Sequence, residues 1–288
     1  MKQNDVHERL FKNRYLFTGQ LVLKTGLHIG GGKATFSPSD APIIRTPDGK
    51  PFVPGSSFKG AFRSTVEKLA PIIDTVWSCG LDAEATFIDS QGKAWHCIGP
   101  QGDTQTIFNT KERNSKWSNE DLLRELDKRL CDTCKLFGSS FMASHIIFAD
   151  LYTTQDTEGL IQIRDGVAID RDSERAVDTA LYNYEVVAPT LSFDLQIWLD
   201  DPTTTDLGLT CLGLNEYLSG FGYLGGKRSR GLGQCEITGL KIYRADFSNK
   251  ANLLRYLTER EPQQKMDLVA KAESFINEQI KAMMATSL

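Results

Sequence analysis

An α+β fold is predicted for this 288-residue chain by three observations. Two stretches carry apolar residues at helical spacing, and four others alternate apolar with polar residues. Their order is strand, helix, strand, strand, helix, strand, and glycine-rich turns separate them. That order is the ferredoxin-like split βαβ arrangement, a topology that RNA-recognition (RRM-like) modules also use.

Each element has its own signal. Phe17 to Lys24 (FTGQLVLK) alternates and reads as a half-buried strand, followed by the glycine loop. Pro54-Gly55 marks a turn, and Ser56 or Ser57 can cap a helix whose apolar face is Phe58, Phe62, Val66 and Leu69 to Ala70, ending at Pro71. From Ile72 to about Leu130 the pattern loosens into glycine, tryptophan, cysteine and charge, which reads as an insertion. Within it one helix is predicted to open at Ser118-Asn119 and run through Leu122, Leu123 and Leu126. His145 to Tyr152 and Thr190 to Leu199 are the next strands, with a charged segment from Arg164 to Glu185 between them. Asp206 to Phe221 is the second helix, with Gly222 near its C-cap, and Gln234 to Tyr243 is the closing strand. Beyond Asp246 the chain reads as helical over Leu253 to Leu257 and Met266 to Met284, broken at Pro262. The expected organisation is one domain over residues 1–288, with its core at about 16–70 and 140–245, the insertion at 72–135 and C-terminal helices at 250–285.

Composition limits function. The net charge is −4, from 33 Lys and Arg against 37 Asp and Glu, which excludes a protein that coats nucleic acid over its whole surface. The sequence offers no apolar run of membrane-spanning length, and MKQNDVHERLFKNRYLF lacks the pattern of a secretory signal, so a cytoplasmic protein without a membrane partner is expected. Any polyanion site must therefore be local. One candidate is the stretch Leu27 to Arg63. Gly30, Gly31 and Gly32 let a phosphate chain approach the backbone beside Lys33, and Ser56, Ser57, Lys59 and Arg63 open a basic helix whose free N–H groups suit anions. The other is Gly225 to Gly233, where Lys227, Arg228 and Arg230 stand among four glycines, poor core material and a good backbone clamp. Between the first two basic groups lies a lone acid, Asp40, set among Ser-Pro-Ser and Ala-Pro. By composition alone it is either a reactive carboxylate or a turn residue.

Six cysteines in a cytosolic setting point to metal rather than disulfides. Cys131 and Cys134 form a CxxC pair, and Cys79 and Cys97 stand upstream in the same insertion; together they can make a tetrahedral Cys₄ zinc site. The insertion has little apolar periodicity, so a metal staple would hold it folded, and His96 can replace one ligand. Reduced thiols in a packed interior are the competing account. Cys211 and Cys235 fall on a helix and a strand and read as small buried hydrophobes.

LHIGGGK, SDAPII, PFVPGSSFKGAFR and YLGGKRSRGLGQ, in that order, resemble the RAMP superfamily, in particular the Csm/Cmr-type backbone subunits of type III CRISPR effector complexes. The resemblance covers roughly residues 16–70 and 140–245. It implies a subunit that stacks with others along a guide RNA and pushes a thumb-like hairpin through the guide–target duplex. It also implies that an acid after the first strand cuts the target RNA with a divalent metal, Mg²⁺ or Mn²⁺, and Asp40 stands at that position. Val167 to Val187 resembles the thumb region, a thumb-like segment over 164–187, where Ile169, Arg171 and Arg175 would face the duplex. Two alternatives remain. One is a purely structural guide-binding subunit. The other is a guide-processing RAMP endoribonuclease that works without metal, for which His28 is the candidate general acid or base.

Overall fold

The computed structural model describes residues 11–32, 39–82, 86–88, 94–97, 118, 121, 127, 129–172 and 175–285. In chain order these form β1 (Asn13–Leu23), α1 (Gly55–Leu69) with a 3-10 turn at Ala70–Ile72, β2 (Thr86–Ile88), β3 (Ala94–His96), α2 (Asp132–Phe137) and β4 (Ile146–Phe148). There follow β5 (Ile161–Ile169), β6 (Ala176–Val187), β7 (Ser192–Asp200), α3 (Thr204–Leu218), β8 (Gly222–Tyr223) and β9 (Gln234–Asp246). The chain closes with α4 (Lys250–Thr258), α5 (Pro262–Lys265), β10 (Asp267–Leu268) and α6 (Ala272–Ala285).

The main sheet is antiparallel, in the order β10-β9-β1-β7-β4, with β8 added to β9. β1 holds the centre because its alternation serves two faces. Phe17, Leu21 and Leu23 point into the main core with Phe58, Phe62 and Tyr217, while Leu16 joins Tyr243, Ala245 and Met266 in a smaller cluster. Each such large side chain removed from water contributes roughly 1.5–3 kcal/mol. β1 starts earlier than its alternation suggests because of a charge pair. Arg14 Nε donates to Asp200 Oδ1 on β7 at 2.6 Å, its Nη2 reaches Asp200 Oδ2, and its Nη1 donates to the Tyr256 hydroxyl of α4 at 2.6 Å.

α1 and α3 share the core side of the sheet. Tyr217 meets Phe58 edge-on at 5.3 Å and Phe62 in a stack at 5.7 Å. α3 is buried around most of its circumference, including Cys211, because Ile276 and Met283 of α6 close its outer side. It opens one turn earlier than Asp206, at a capping box in which Thr203 Oγ1 accepts from Asp206 N and Asp206 Oδ2 accepts from Thr203 N.

Three sequence expectations need correction. Neither Ser56 nor Ser57 caps α1: Pro54 holds the N-cap position without a side-chain bond, and Gly55 N donates instead to Asp150 Oδ1 at 2.7 Å. A Cβ at residue 55 would lie 2.5 Å from Phe148 O, so only glycine lets α1 start against the end of β4. Nor does a helix begin at Met266. Asp267 and Leu268 pair with Arg244 and Tyr243 as β10, and Val269 N donates to Ile242 O at 2.8 Å. Satisfying the outer edge of β9 and burying Met266 outweigh helical continuation, and α6 starts only after Lys271, which has φ 64°. The strand expected over His145 to Tyr152 also stops at Phe148, and Leu151 exchanges two hydrogen bonds with Val53 instead.

Away from the main sheet, β2 pairs with β3, and β5 pairs with β6 as a long two-stranded hairpin. The helix expected through Leu122, Leu123 and Leu126 lies outside the described residues; at its opening, Ser118 N donates to Asp121 Oδ2 and Asp121 N to Ser118 Oγ. Among the described residues, no helix is long and apolar enough to cross a membrane.

Candidate functional site

Three loops meet at the base of the β5–β6 hairpin. Leu27 exchanges backbone hydrogen bonds with Val187 at 3.0 and 2.8 Å, which lays the glycine strip beside the end of β6. Asp40 to Ile43 then runs back between the two: Gly31 N donates to Pro42 O, Ile44 N to Ile29 O, and Ala41 forms a parallel bridge with Tyr184. The third loop closes over His28, whose carbonyl accepts from Gly226 N at 2.9 Å, while Gly233 N donates to Gly26 O at 2.8 Å. Gly225 makes this closure possible, with φ 77° and a backbone position where a Cβ would sit 2.4 Å from His28 O.

The side chains around this junction set an exposed polar rim over a buried base of Tyr184, Glu185, Val186 and Leu232. Asp40 is exposed, and its Oδ2 accepts from Asn183 N at 2.9 Å while Asn183 Oδ1 accepts from Asp40 N at 2.7 Å. Beneath it the buried Glu185 carboxylate accepts from Ile43 N at 3.0 Å and pairs with Arg45 at 2.9 Å. Lys227, in a left-handed conformation, sets its ammonium 4.1 Å from the Tyr184 ring centre and 4.8 Å from that of Tyr182. Arg230 donates to the Tyr182 hydroxyl and holds that phenol below its ordinary pKa. Arg228 and Arg230 lie exposed on a 3-10 turn, with Arg228 Nε donating to Gly225 O. His28 spends Nδ1 on the Glu185 carbonyl at 2.7 Å and stands edge-on to Tyr184.

Asp40, Gly30 to Gly32 and the Lys227–Arg230 cations are thus brought together; Lys33 lies outside the described residues. The other sequence candidates sit elsewhere. Ile169, Arg171 and Arg175 occupy the exposed far end of the hairpin, where Asp170 N donates to Arg175 O. Counting from Ala176 to Asn183 at the rise of a strand, that end is about 23 Å from Asp40's partner. Ser56 is exposed at the start of α1 and Ser57 is half-buried. Lys59 donates to Ser144 Oγ at 2.9 Å and is held below the ordinary lysine pKa by burial. Arg63 faces protein on three sides: Nε to Glu67 at 2.7 Å, Nη1 to Gly138 O at 3.1 Å and Nη2 to Cys134 Sγ at 3.3 Å.

Sequence reasoning missed Asn183, Glu185, Tyr182 and Tyr184. A signal existed: in LYNYEVV the period of two places both tyrosines on one face of β6 and Asn183 with Glu185 on the other. Arg63 and Glu67, four apart on α1, were also legible as a pair.

The cysteines form a second centre. Cys79, Cys97, Cys131 and Cys134 are all buried, with their sulfurs within 4.8 Å of one another. Cys79 Sγ lies 3.5 Å from Cys131 Sγ and 3.6 Å from Cys134 Sγ, too far for disulfides and close to the roughly 3.8 Å edge of a tetrahedron with ~2.3 Å metal–sulfur bonds. α2 supplies the CxxC pair because Cys131 is its N-cap, accepting from Cys134 N at 3.3 Å. The four thiols compete for ionisation. Cys131 is drawn down by its hydrogen bond from Cys134, and Cys97 and Cys134 are pushed up by sharing with Cys131. A divalent cation at the centre is the partner that lets all four ionise, so the donor set fits a thiophilic metal. The side chain of His96 is not among those described.

This chain belongs to the RAMP superfamily, whose family model matches residues 20–236. Within that class it is similar to a protein of Streptococcus thermophilus named "CRISPR system Cms endoribonuclease Csm3", 26% identical over 238 residues, 78% of this chain and 87% of that one. Proteins of the same name from Methanothermobacter thermautotrophicus and Methanocaldococcus jannaschii are 47% identical over 60 residues and 41% over 59. Those two matches cover 20% of this chain and 24% of each relative, so the chain aligns with about a quarter of their length.

Proposed function

We propose that this chain is a guide-RNA-binding backbone subunit of a type III CRISPR effector complex and that Asp40 serves metal-dependent endoribonuclease cleavage of the target RNA. One observation carries the reading: an exposed carboxylate stands where a glycine strip, a cationic glycine loop and the base of a long hairpin meet. The superfamily membership and the endoribonuclease name of the relatives support it. The strand order β9-β1-β7-β4 supports a ferredoxin-like core, and we read residues 1–288 as one RAMP domain with an insertion at 72–135 and a thumb-like hairpin. The working location is the cytoplasm, and the partners are guide RNA, target RNA and the other subunits of the complex.

The chemistry needs a target 2′-hydroxyl brought in line with its phosphate and deprotonated while charge grows on the phosphoryl oxygens. Asp40 would hold a divalent ion or take the proton. Mg²⁺ or Mn²⁺, when bound, supplies charge neutralisation and a hard centre for oxygen ligands. Lys227, Arg228 and Arg230 hold the RNA backbone, with Gly30 to Gly32 allowing close approach and the Tyr182 and Tyr184 rings seating the Lys227 ammonium. Ser56, Ser57 and Lys59 would touch the guide along α1, and Ile169, Arg171 and Arg175 the duplex. Arg63 is better assigned to the cysteine centre, since its donors are spent on Glu67, Gly138 and Cys134. Zinc held by Cys79, Cys97, Cys131 and Cys134 would be structural.

The test is Asp40→Ala in the assembled complex. Target cleavage should fall about 10²–10⁴-fold with RNA binding retained. Intact cleavage would leave the subunit a structural one. Cleavage that persists in EDTA would remove the metal and favour a histidine route through His28.

A further inference from the structure

We propose that Asn183 and Glu185 are positioning residues that index Asp40 to the hairpin, so that the element reaching toward the duplex also sets where the acid acts. The inference rests on the reading of Asp40 as the cutting acid. Its basis is the pattern of bonds on the Asp40–Arg45 segment. Asp40 N and Asn183 N each donate to the other residue's side chain, at 2.7 and 2.9 Å. One turn of the pleat further on, Glu185 N donates to Ala41 O at 3.1 Å, and the Glu185 carboxylate accepts from Ile43 N at 3.0 Å and from Arg45 at 2.9 Å. Pro42 and Ile44 bond to the glycine strip on the opposite side. The segment thus lies along the free edge of β6 almost as a third strand, with Asp40 held at its backbone N–H and at one carboxylate oxygen by a single hairpin residue.

This arrangement has a chemical consequence. Asn183 N–H donates to Asp40 Oδ2 and so ties one carboxylate oxygen to the hairpin backbone. Asn183 Oδ1 anchors the Asp40 backbone, and through it the direction in which the carboxylate points. Glu185, with its side chain only 6% exposed, is the anchor that keeps the following residues in register.

The experiment uses the assembled complex with guide RNA and a matched target. Asn183→Ala should lower the cleavage rate constant about 100-fold, the effect of a misplacement near 1 Å, while target affinity stays within twofold. Its cuts should spread to neighbouring phosphodiesters, where the wild type is expected to make a single cut. Asn183→Asp keeps the acceptor for Asp40 N and adds a carboxylate beside the acid. It should restore the single cut and move the acid limb of the pH–rate profile upward, because a like charge disfavours ionisation. Glu185→Gln, which keeps the acceptor but not the charge, should give the same spread of cuts in milder form. Wild-type cleavage by Asn183→Ala alongside an inactive Asp40→Ala would overturn the positioning role and leave the proposed function standing. A loss of target affinity equal to the loss of rate would also overturn it, marking Asn183 as a simple binding contact. Active Asp40→Ala would instead remove the reading on which the inference rests.

Discussion

The hairpin base and the cysteine centre both gather chain segments far apart in sequence, yet they do so by opposite physics. At the hairpin base the joining groups are backbone amides and polar side chains, each contributing about 0.5–1.5 kcal/mol, and the Asp40 carboxylate stays open to solvent. At the cysteine centre all four donors are buried, and without a cation the thiols push one another's ionisation in opposite directions, Cys131 down and Cys97 up. The first region is built to be approached and the second to be closed.

The largest effect is expected where that contrast is sharpest. Cys131→Ser should abolish stoichiometric zinc, measured by elemental analysis, and lower the urea midpoint by the equivalent of several kcal/mol, since structural zinc binding is worth on the order of 10 kcal/mol. Zinc content well below one per wild-type chain would break the comparison at its buried end. At the open end, replacing Lys227, Arg228 and Arg230 together by Ala should flatten the log–log salt dependence of guide binding by about 2, at roughly 0.7 per single-strand contact. An unchanged slope would mean that these cations do not meet the backbone. The smallest effect tests the border between the regions. Arg63→Met should speed zinc loss to a chelator about tenfold, by removing the donor to Cys134, and leave the salt slope alone. A change in slope with zinc retention unaltered would return Arg63 to the RNA side.

Much of this was legible before any coordinates. The two helices with their flanking strands carry clean periodicities, and the helix boundaries moved by only a few residues where Asp150 and Thr203 supplied caps. Cys79, Cys97, Cys131 and Cys134 could be grouped by composition, although Cys79 and Cys97 reach the CxxC pair only through tertiary folding. β10 was hidden because two residues pairing with β9 carry no pattern of their own, and the helical spacing around Met266 argued the other way. The Asp40–Asn183 exchange spans 143 positions, and no local rule links residues at that separation. Tyr182 and Tyr184 alternate along LYNYEVV, but the charges from Arg164 to Glu185 give the segment the pattern of an ordinary solvated hairpin.

The hairpin has one more property, that of a lever with unequal arms. Its far end stands about 23 Å beyond Asn183, so rocking of about 5° at the base displaces the tip by about 2 Å and leaves residues at the pivot nearly still. Any load on the exposed Ile169 end would therefore reach Asp40, tied at the fulcrum beside the glycine strip and the Lys227 loop, much reduced.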